Sequence, residues 1–311
     1  MTKKMKRWDR KKKKYTLKDD IYRELDTMLK EGQNTKRDED KKNKKDLTKN
    51  KIYSFVTYKN YKRSCLLFAS YLGKNFPKVR SLSDIKIEHV NSYLESLMNK
   101  DLSAPTINSY KSAIAKVMGI SSKDFIETPK VQRKNITRSR YEAKRDKHIS
   151  QKTEEKFAKY TTAIGGRRSE MENLKGTDLK KSKKTGTYYV LIRNGKGGKK
   201  RYSPIVGKNK EETKEIVEMF KKSGNTKVFG KLPSHFDNHY YRAQYAKRLY
   251  KILARPIEKI ENPKEIYRCR KDKAGIVYDR KAMLKVSEFL GHNRVDVIAR
   301  HYLYWKKIFE F

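Results

Sequence analysis

The chain has 311 residues, long enough for two domains with cores of their own. Lys and Arg number 79 against 36 Asp and Glu, a formal charge of +43, while apolar residues make up 36 %. That apolar content excludes a wholly disordered chain. The charge calls for a polyanion, nucleic acid first and an anionic membrane surface second.

No apolar run approaches the roughly 20 residues of a membrane span. The opening MTKKMKRWDRKKKK has no hydrophobic core behind its charges, so no secretory signal is expected. A cytoplasmic protein without membrane partners follows as the expectation. Cys65 and Cys269 match no metal-ligand spacing and read as free buried thiols.

Residues 1–50 read as a basic N-terminal arm, with lysine runs at 11–14 and 41–45. Within it TLKDDIYRELDTMLKEG (16–32) has Ile21, Leu25 and Leu29 at helical spacing and Gly32 as a stop. The rest of the arm is expected to be mobile until it meets DNA.

Residues 51–130 are patterned as a helical domain with a basic side. Tyr61, Cys65, Phe68 and Leu72 share one face of a helix over 57–76, and further helices follow over 81–100 and 103–119. Ser or Asp precedes each of these two, and Gly119 follows the last. Residues 131–149 are basic, polar and poor in large apolar side chains, a linker suited to lie along a phosphate backbone. A second domain, 150–311, opens at Ser150, a plausible helix cap.

Three stretches of that domain carry residues fit for chemistry. In AIGGRRSEMENL (163–174) the glycines end one helix and RRSEMENL begins another, with Arg167 and Glu170 three apart. GTYYVLIRNGKGGKKRYSPIV (186–206) reads as a hairpin with Lys196 between the glycines of its turn. NHYYRAQYAKRLYKIL (238–253) puts His239 and Arg242 three apart near a helix N-terminus, an end that favours an anion. Taken singly, an Arg–Glu pair, a turn lysine and a helix-capping histidine are more often solvated surface than chemistry.

Their order is more specific. GGRRSEMENL, a GKGGK-x-R-x-x-P hairpin, H-x-x-R, then LGH and a tyrosine near residue 300 resembles the tyrosine recombinase (phage-type integrase) family over residues 50–311. The resemblance implies a mainly α fold with a small β component (α+β). An N-terminal helical core-binding domain would be joined to a C-terminal mixed α/β catalytic domain.

It also implies a catalytic set of Arg167, Glu170, Lys196, His239, Arg242, His292 and Tyr302. The family's commonest spacing puts the tyrosine nine residues after the histidine. Here position 301 is His301 and Tyr302 follows it, which leaves Tyr304 open as an alternative.

The implied activity is site-specific cleavage and rejoining of double-stranded DNA through a 3′-phosphotyrosyl intermediate, to integrate or excise a mobile element. A homotetramer would act on two DNA sites, with DNA-bending factors from the host or the element as further partners. No cofactor or metal is expected: there is no G-x-x-x-x-G-K-[ST] and no carboxylate cluster for a two-metal site. GKGGKKR lies inside a hairpin and not ahead of a helix, which rejects a nucleotide-cradling loop.

A type IB topoisomerase would use the same residues, but the long core-binding domain and the motif spacing argue against it. A non-catalytic DNA-binding relative is argued against by the presence of every catalytic residue type. Two features are left without a role: residues 265–284, which read as an extra β-hairpin, and LYWKKIFEF (303–311), whose apolar side chains must be buried in this domain or against a neighbour.

Overall fold

The computed structural model describes residues 15–42, 47–131, 142–143, 146–196, 198–270 and 273–304. The lysine run at 11–14, most of the 131–149 linker and the tail 305–311 lie outside the described residues, so the expectations placed on them stay with the sequence. The chain divides into two compact units, residues 1–136 and 137–311.

The first unit is helical. Helices α1 (Leu17–Gly32), α2 (Arg37–Asp40), α3 (Phe55–Asn75), α4 (Ile87–Met98) and α5 (Ala104–Val117) follow in order. Their starts are chemically marked. The Asp19 carboxylate accepts from the Thr16 N–H at 3.0 Å, Ser54 caps α3 through Thr57 N–H at 3.2 Å, and Pro105 lies in the first turn of α5. The core gathers Ile21, Leu25, Cys65, Phe68, Leu72, Leu94, Ile107 and Ile114.

This corrects the arm boundary expected at residue 50. The α1 stripe is buried in the same core as α3–α5, because an amphipathic helix with Ile21 and Leu25 at 1 % and 0 % exposure has to cover a partner. Gly32 allows the chain to close here: a Cβ on it would stand 2.3 Å from the Ile52 carbonyl oxygen. The Ile52 N–H then donates to Met28 O at 2.8 Å.

The second unit begins within the expected linker. Asp146 is buried, and its carboxylate accepts from the Asp237 N–H at 2.5 Å and from the Tyr241 hydroxyl at 2.9 Å. Helix α6 (Gln151–Ile164) starts at the Ser150 cap and is followed by α7 (Arg168–Glu172). A three-stranded antiparallel sheet in the order β1 (Leu179–Lys181), β2 (Tyr188–Ile192), β3 (Arg201–Pro204) comes next. It contains the expected hairpin, with Val190 opposite Ser203 and Ile192 opposite Arg201.

After α8 (Lys210–Ser223) comes α9 (Asn238–Leu253), which packs on α6. Strands β4 (Ile266–Arg268) and β5 (Val277–Asp279) pair as an antiparallel hairpin. The expectation of strand through residue 284 is corrected: Asp279 accepts from the Lys281 and Ala282 N–H groups and starts helix α10 (Arg280–Phe289). Helix α11 (Val295–His301) ends at Tyr302.

Phe157, Met171, Val190, Ile216 and Phe220 form one core of this unit, and Tyr245, Met283, Leu290, Ile298 and Leu303 form another. Cys65 is buried and Cys269 only partly so.

Candidate active site

Gly165 closes α6 in the left-handed region at φ 69°, and a Cβ there would collide with the Tyr245 ring at 2.1 Å. The turn delivers Arg167 to the start of α7. Arg167 caps that helix and is not on its face: its N–H donates to Glu170 Oε2 and its Nη1 to Oε1, both at 2.7 Å.

Glu170 is the hub. Its side chain is 1 % exposed, and the guanidinium of Arg201 closes on it with two bonds, Nη1 to Oε1 at 3.0 Å and Nη2 to Oε2 at 2.6 Å. Arg242 Nη1 stands 3.8 Å from Oε2. Burial pushes the Glu170 carboxyl up; the hydrogen bond and charge of Arg201, with help from Arg242 and the Arg167 N–H, outweigh it and hold the group down at about 2. Three guanidiniums therefore face one carboxylate, leaving an excess of positive charge around a buried acid.

Arg242 is wholly buried, on the second turn of α9. Its Nη1 donates to Gly165 O and its Nη2 to Leu290 O, so the ends of α6 and α10 fix its plane. Its Nε donates to the Tyr302 hydroxyl at 3.3 Å. Burial lowers the Arg242 pKa, and the neighbouring Arg167 and Arg201 lower it further.

His292 follows Gly291, whose φ is 71° and whose missing Cβ leaves room for the Arg201 side chain, 3.1 Å from where it would stand. His292 Nε2 lies 3.1 Å from the Tyr302 hydroxyl. Burial and then the charges of Arg242, Arg167, Arg201 and His301 push the imidazole down to about 4. The ring nitrogen and the phenol share this hydrogen bond, its direction set by the imidazole tautomer, while the phenol oxygen accepts from Arg242 Nε.

The folded value lies below the unfolded one of about 6.5. This group therefore disfavours the fold progressively as pH falls from about 6.5 to 4. An NMR titration of the His292 ring is expected to show a midpoint near 4; a midpoint near 6.5 would mean that the ring is neither buried nor beside the arginines.

Tyr302 and Tyr304 differ sharply in setting. Both are buried, at 4 % and 6 % exposure, and the Tyr302 hydroxyl stands against Arg242 and His292. The Tyr304 ring lies instead under the Lys247 ammonium, 4.5 Å from its centroid.

His239 lies on the first turn of α9, exposed, and with Arg167 and Asn238 lines an open cleft. The anion site expected at that helix end is corrected. Asp237 caps α9 through the Tyr240 N–H at 3.4 Å, and Asp146 holds the Asp237 N–H, so an anion there would meet two carboxylates. Lys196 is exposed on the β2–β3 turn. The structure thus brings Arg167, Glu170, Arg242, His292 and Tyr302 into one contact network and leaves His239 and Lys196 at its edge.

Arg201 is the member that sequence reading did not assign. The signal was present in β3, where Arg201 and Ser203 are buried and Tyr202 is exposed. A charged residue on the buried face of a strand requires a partner. Among the described residues no group of three or more His, Cys, Asp or Glu is placed to hold a metal ion, and no helix is long and apolar enough to cross a membrane.

Residues 38–126 match the family model for the N-terminal domain of phage integrases. No curated protein matches the sequence. Among solved structures, the XerH site-specific recombinase bound to its palindromic difH substrate in a post-cleavage complex superposes with a TM-score of 0.53 at 17 % identity, covering 82 % of this chain and 78 % of that one. The chain has the tyrosine-recombinase fold. The Tn1549 transposon integrase in complex with circular-intermediate DNA is also similar, at 13 % identity and a TM-score of 0.45, covering 94 % of this chain and 97 % of that one. In a tyrosine-recombinase fold, the match at 38–126 again draws part of the expected arm into the first domain.

Proposed function

We propose that this chain is a site-specific DNA recombinase that cuts and rejoins strands through a 3′-phosphotyrosyl link at Tyr302. The observation that carries the reading is the Tyr302 hydroxyl bonded to Arg242 and His292, beside three guanidiniums that share one carboxylate.

A phosphodiester is an anion, and charge builds on its non-bridging oxygens as an oxygen nucleophile attacks. Planar guanidiniums fixed in advance suit those oxygens. Arg167 and Arg242 take that part, and His292 adds a hydrogen bond.

Forming a phenolate at pH 7 from a phenol of pKa about 10 costs about 4 kcal/mol. A base that takes the proton as attack proceeds offsets that cost, and His239 at the cleft edge serves in this proton transfer. Lys196, exposed on its turn, protonates the departing 5′ oxygen. The phosphotyrosyl ester conserves the bond energy, so a 5′ hydroxyl of another strand reverses the step.

Assembly as a homotetramer on two duplexes, help from DNA-bending factors and a cytoplasmic setting belong to the same reading. The net charge of +43 is directed at DNA. With about 6–10 phosphate contacts, affinity for duplex DNA is expected to fall about 10³–10⁵-fold between roughly 50 and 200 mM salt in a fluorescence titration. A flat dependence would contradict that role for the charge.

The test of function starts from a pool of nicked duplexes of randomised sequence, from which detergent-resistant adducts are recovered and sequenced. Two copies of the recovered site on a supercoiled plasmid are expected to yield recombined circles. Relaxation alone would favour the topoisomerase reading, and no adduct from any duplex would leave a non-catalytic DNA-binding protein.

A further inference from the structure

The β4–β5 hairpin has no part in the account so far, yet it touches the chain on both sides of Tyr302. Lys273, on the segment between the two strands, does not point to solvent: its Nζ donates to Ala299 O at 2.6 Å and to Leu303 O at 2.9 Å. The Tyr278 hydroxyl, from β5, donates to the same Leu303 O at 3.0 Å.

These carbonyls matter because of how α11 ends. Tyr302 is its cap residue, at φ −124° and ψ −45°, outside helical geometry. The N–H groups of Tyr302 and Leu303 both bond Ile298 O, at 3.0 and 2.9 Å. The Leu303 N–H, which a continuing helix would aim at Ala299 O, is therefore diverted. Ala299 O becomes one of the orphan carbonyls of a helix C-terminus, where partial negative charge gathers.

An ammonium suits that end, and Leu303, wholly buried, has no access to water for its carbonyl. The direction in which the Tyr302 side chain leaves the helix is set by this non-helical turn. A shift of the turn moves the phenol away from Arg242 and His292.

We propose that the β4–β5 hairpin is a clamp on the nucleophile segment, in which Lys273 and Tyr278 are positioning residues that hold the backbone flanking Tyr302 and so fix where its hydroxyl stands. The inference rests on the recombinase reading for its consequence, but not for the hold itself. A second contact on the same segment agrees with it. Lys247 Nζ covers the Tyr304 ring, and the Tyr304 N–H bonds Tyr302 O at 3.1 Å, closing a tight turn.

The test has two arms on the full chain. In the free protein, hydrogen exchange of the segment 295–304 is measured for Lys273→Ala, with α9 as the internal control. Exchange over 295–304 is expected to quicken while α9 is unchanged.

In the second arm, adduct formation is followed at saturating protein on a nicked duplex of the sequence recovered by covalent trapping. A displacement of the order of 1 Å lowers such rates about 10²-fold, so the first-order rate is expected to drop about 10- to 100-fold with duplex affinity unchanged. Lys273→Arg, which can donate to the same carbonyls, restores both readings, and Tyr278→Phe gives the same defect in smaller degree.

Unchanged exchange overturns the clamp. Quickened exchange with a wild-type adduct rate overturns its role in positioning. Should the wild type itself form no adduct, the recombinase reading falls, and the exchange arm still decides whether the hairpin holds the segment.

Discussion

Tyr302→Phe is expected to abolish covalent protein–DNA adducts while leaving duplex binding nearly intact. The substitution removes one oxygen from a side chain that is 4 % exposed, so the packing of the ring against its core survives. What is lost is the acceptor of the Arg242 Nε bond at 3.3 Å and the partner of His292 Nε2 at 3.1 Å. Removing the attacking atom allows no partial activity by the same route. Tyr304→Phe should keep adduct formation. The checks are denaturing gel assays of adducts on the trapped-sequence duplex beside a binding titration at fixed salt. Adducts that persist in Tyr302→Phe and vanish in Tyr304→Phe would move the nucleophile two residues on.

Glu170→Ala should have the second largest effect, on stability as well as activity. Removing this carboxylate leaves the Arg167, Arg201 and Arg242 guanidiniums crowded in a buried site without their common counter-charge. Breaking a buried ion pair from one side costs about 3–5 kcal/mol, which urea denaturation of the variant should show.

The carboxyl is held at about 2 when folded and titrates near 4.3 in an unfolded chain. Its contribution is therefore fully present above about pH 4.3 and is lost as pH falls through about 2. The variant should lack that segment of the wild-type pH dependence. Cleavage should fall about 10²-fold or more through loss of ordered guanidiniums. A stability change below about 0.5 kcal/mol, the usual size for an uninvolved surface site, would show that Glu170 does not organise the arginines.

Where local periodicity decides structure, the sequence was legible. Helix α9 occupies residues 238–253, the span that its pattern marks, and β2 and β3 flank the glycines of GKGG as alternation requires. Helix α1 was visible too, but a single apolar stripe says that a face is buried without saying in which core. It was therefore assigned to an arm when Ile21 and Leu25 belong with Phe68 and Leu72.

The α9 end shows a competing rule: Asp237 directly before the helix is a capping residue, and its carboxylate takes the place that an incoming anion was expected to fill. Between Tyr302 and Tyr304, spacing alone left the choice open. It is the direction in which the chain leaves α11 that separates them. Arg201 was readable from its inward position on β3. Lys273 was not, because its partners lie 26 and 30 residues away and no local pattern encodes them.

The central claim, a covalent link at Tyr302, is tested most directly by digesting the detergent-trapped adduct and locating the nucleotide by peptide mass spectrometry. The account predicts a 3′-phosphonucleotide on the peptide that holds Tyr302, with fragment ions assigning it to that residue. A nucleotide on Tyr304, on any other tyrosine or on a non-tyrosine side chain would contradict it.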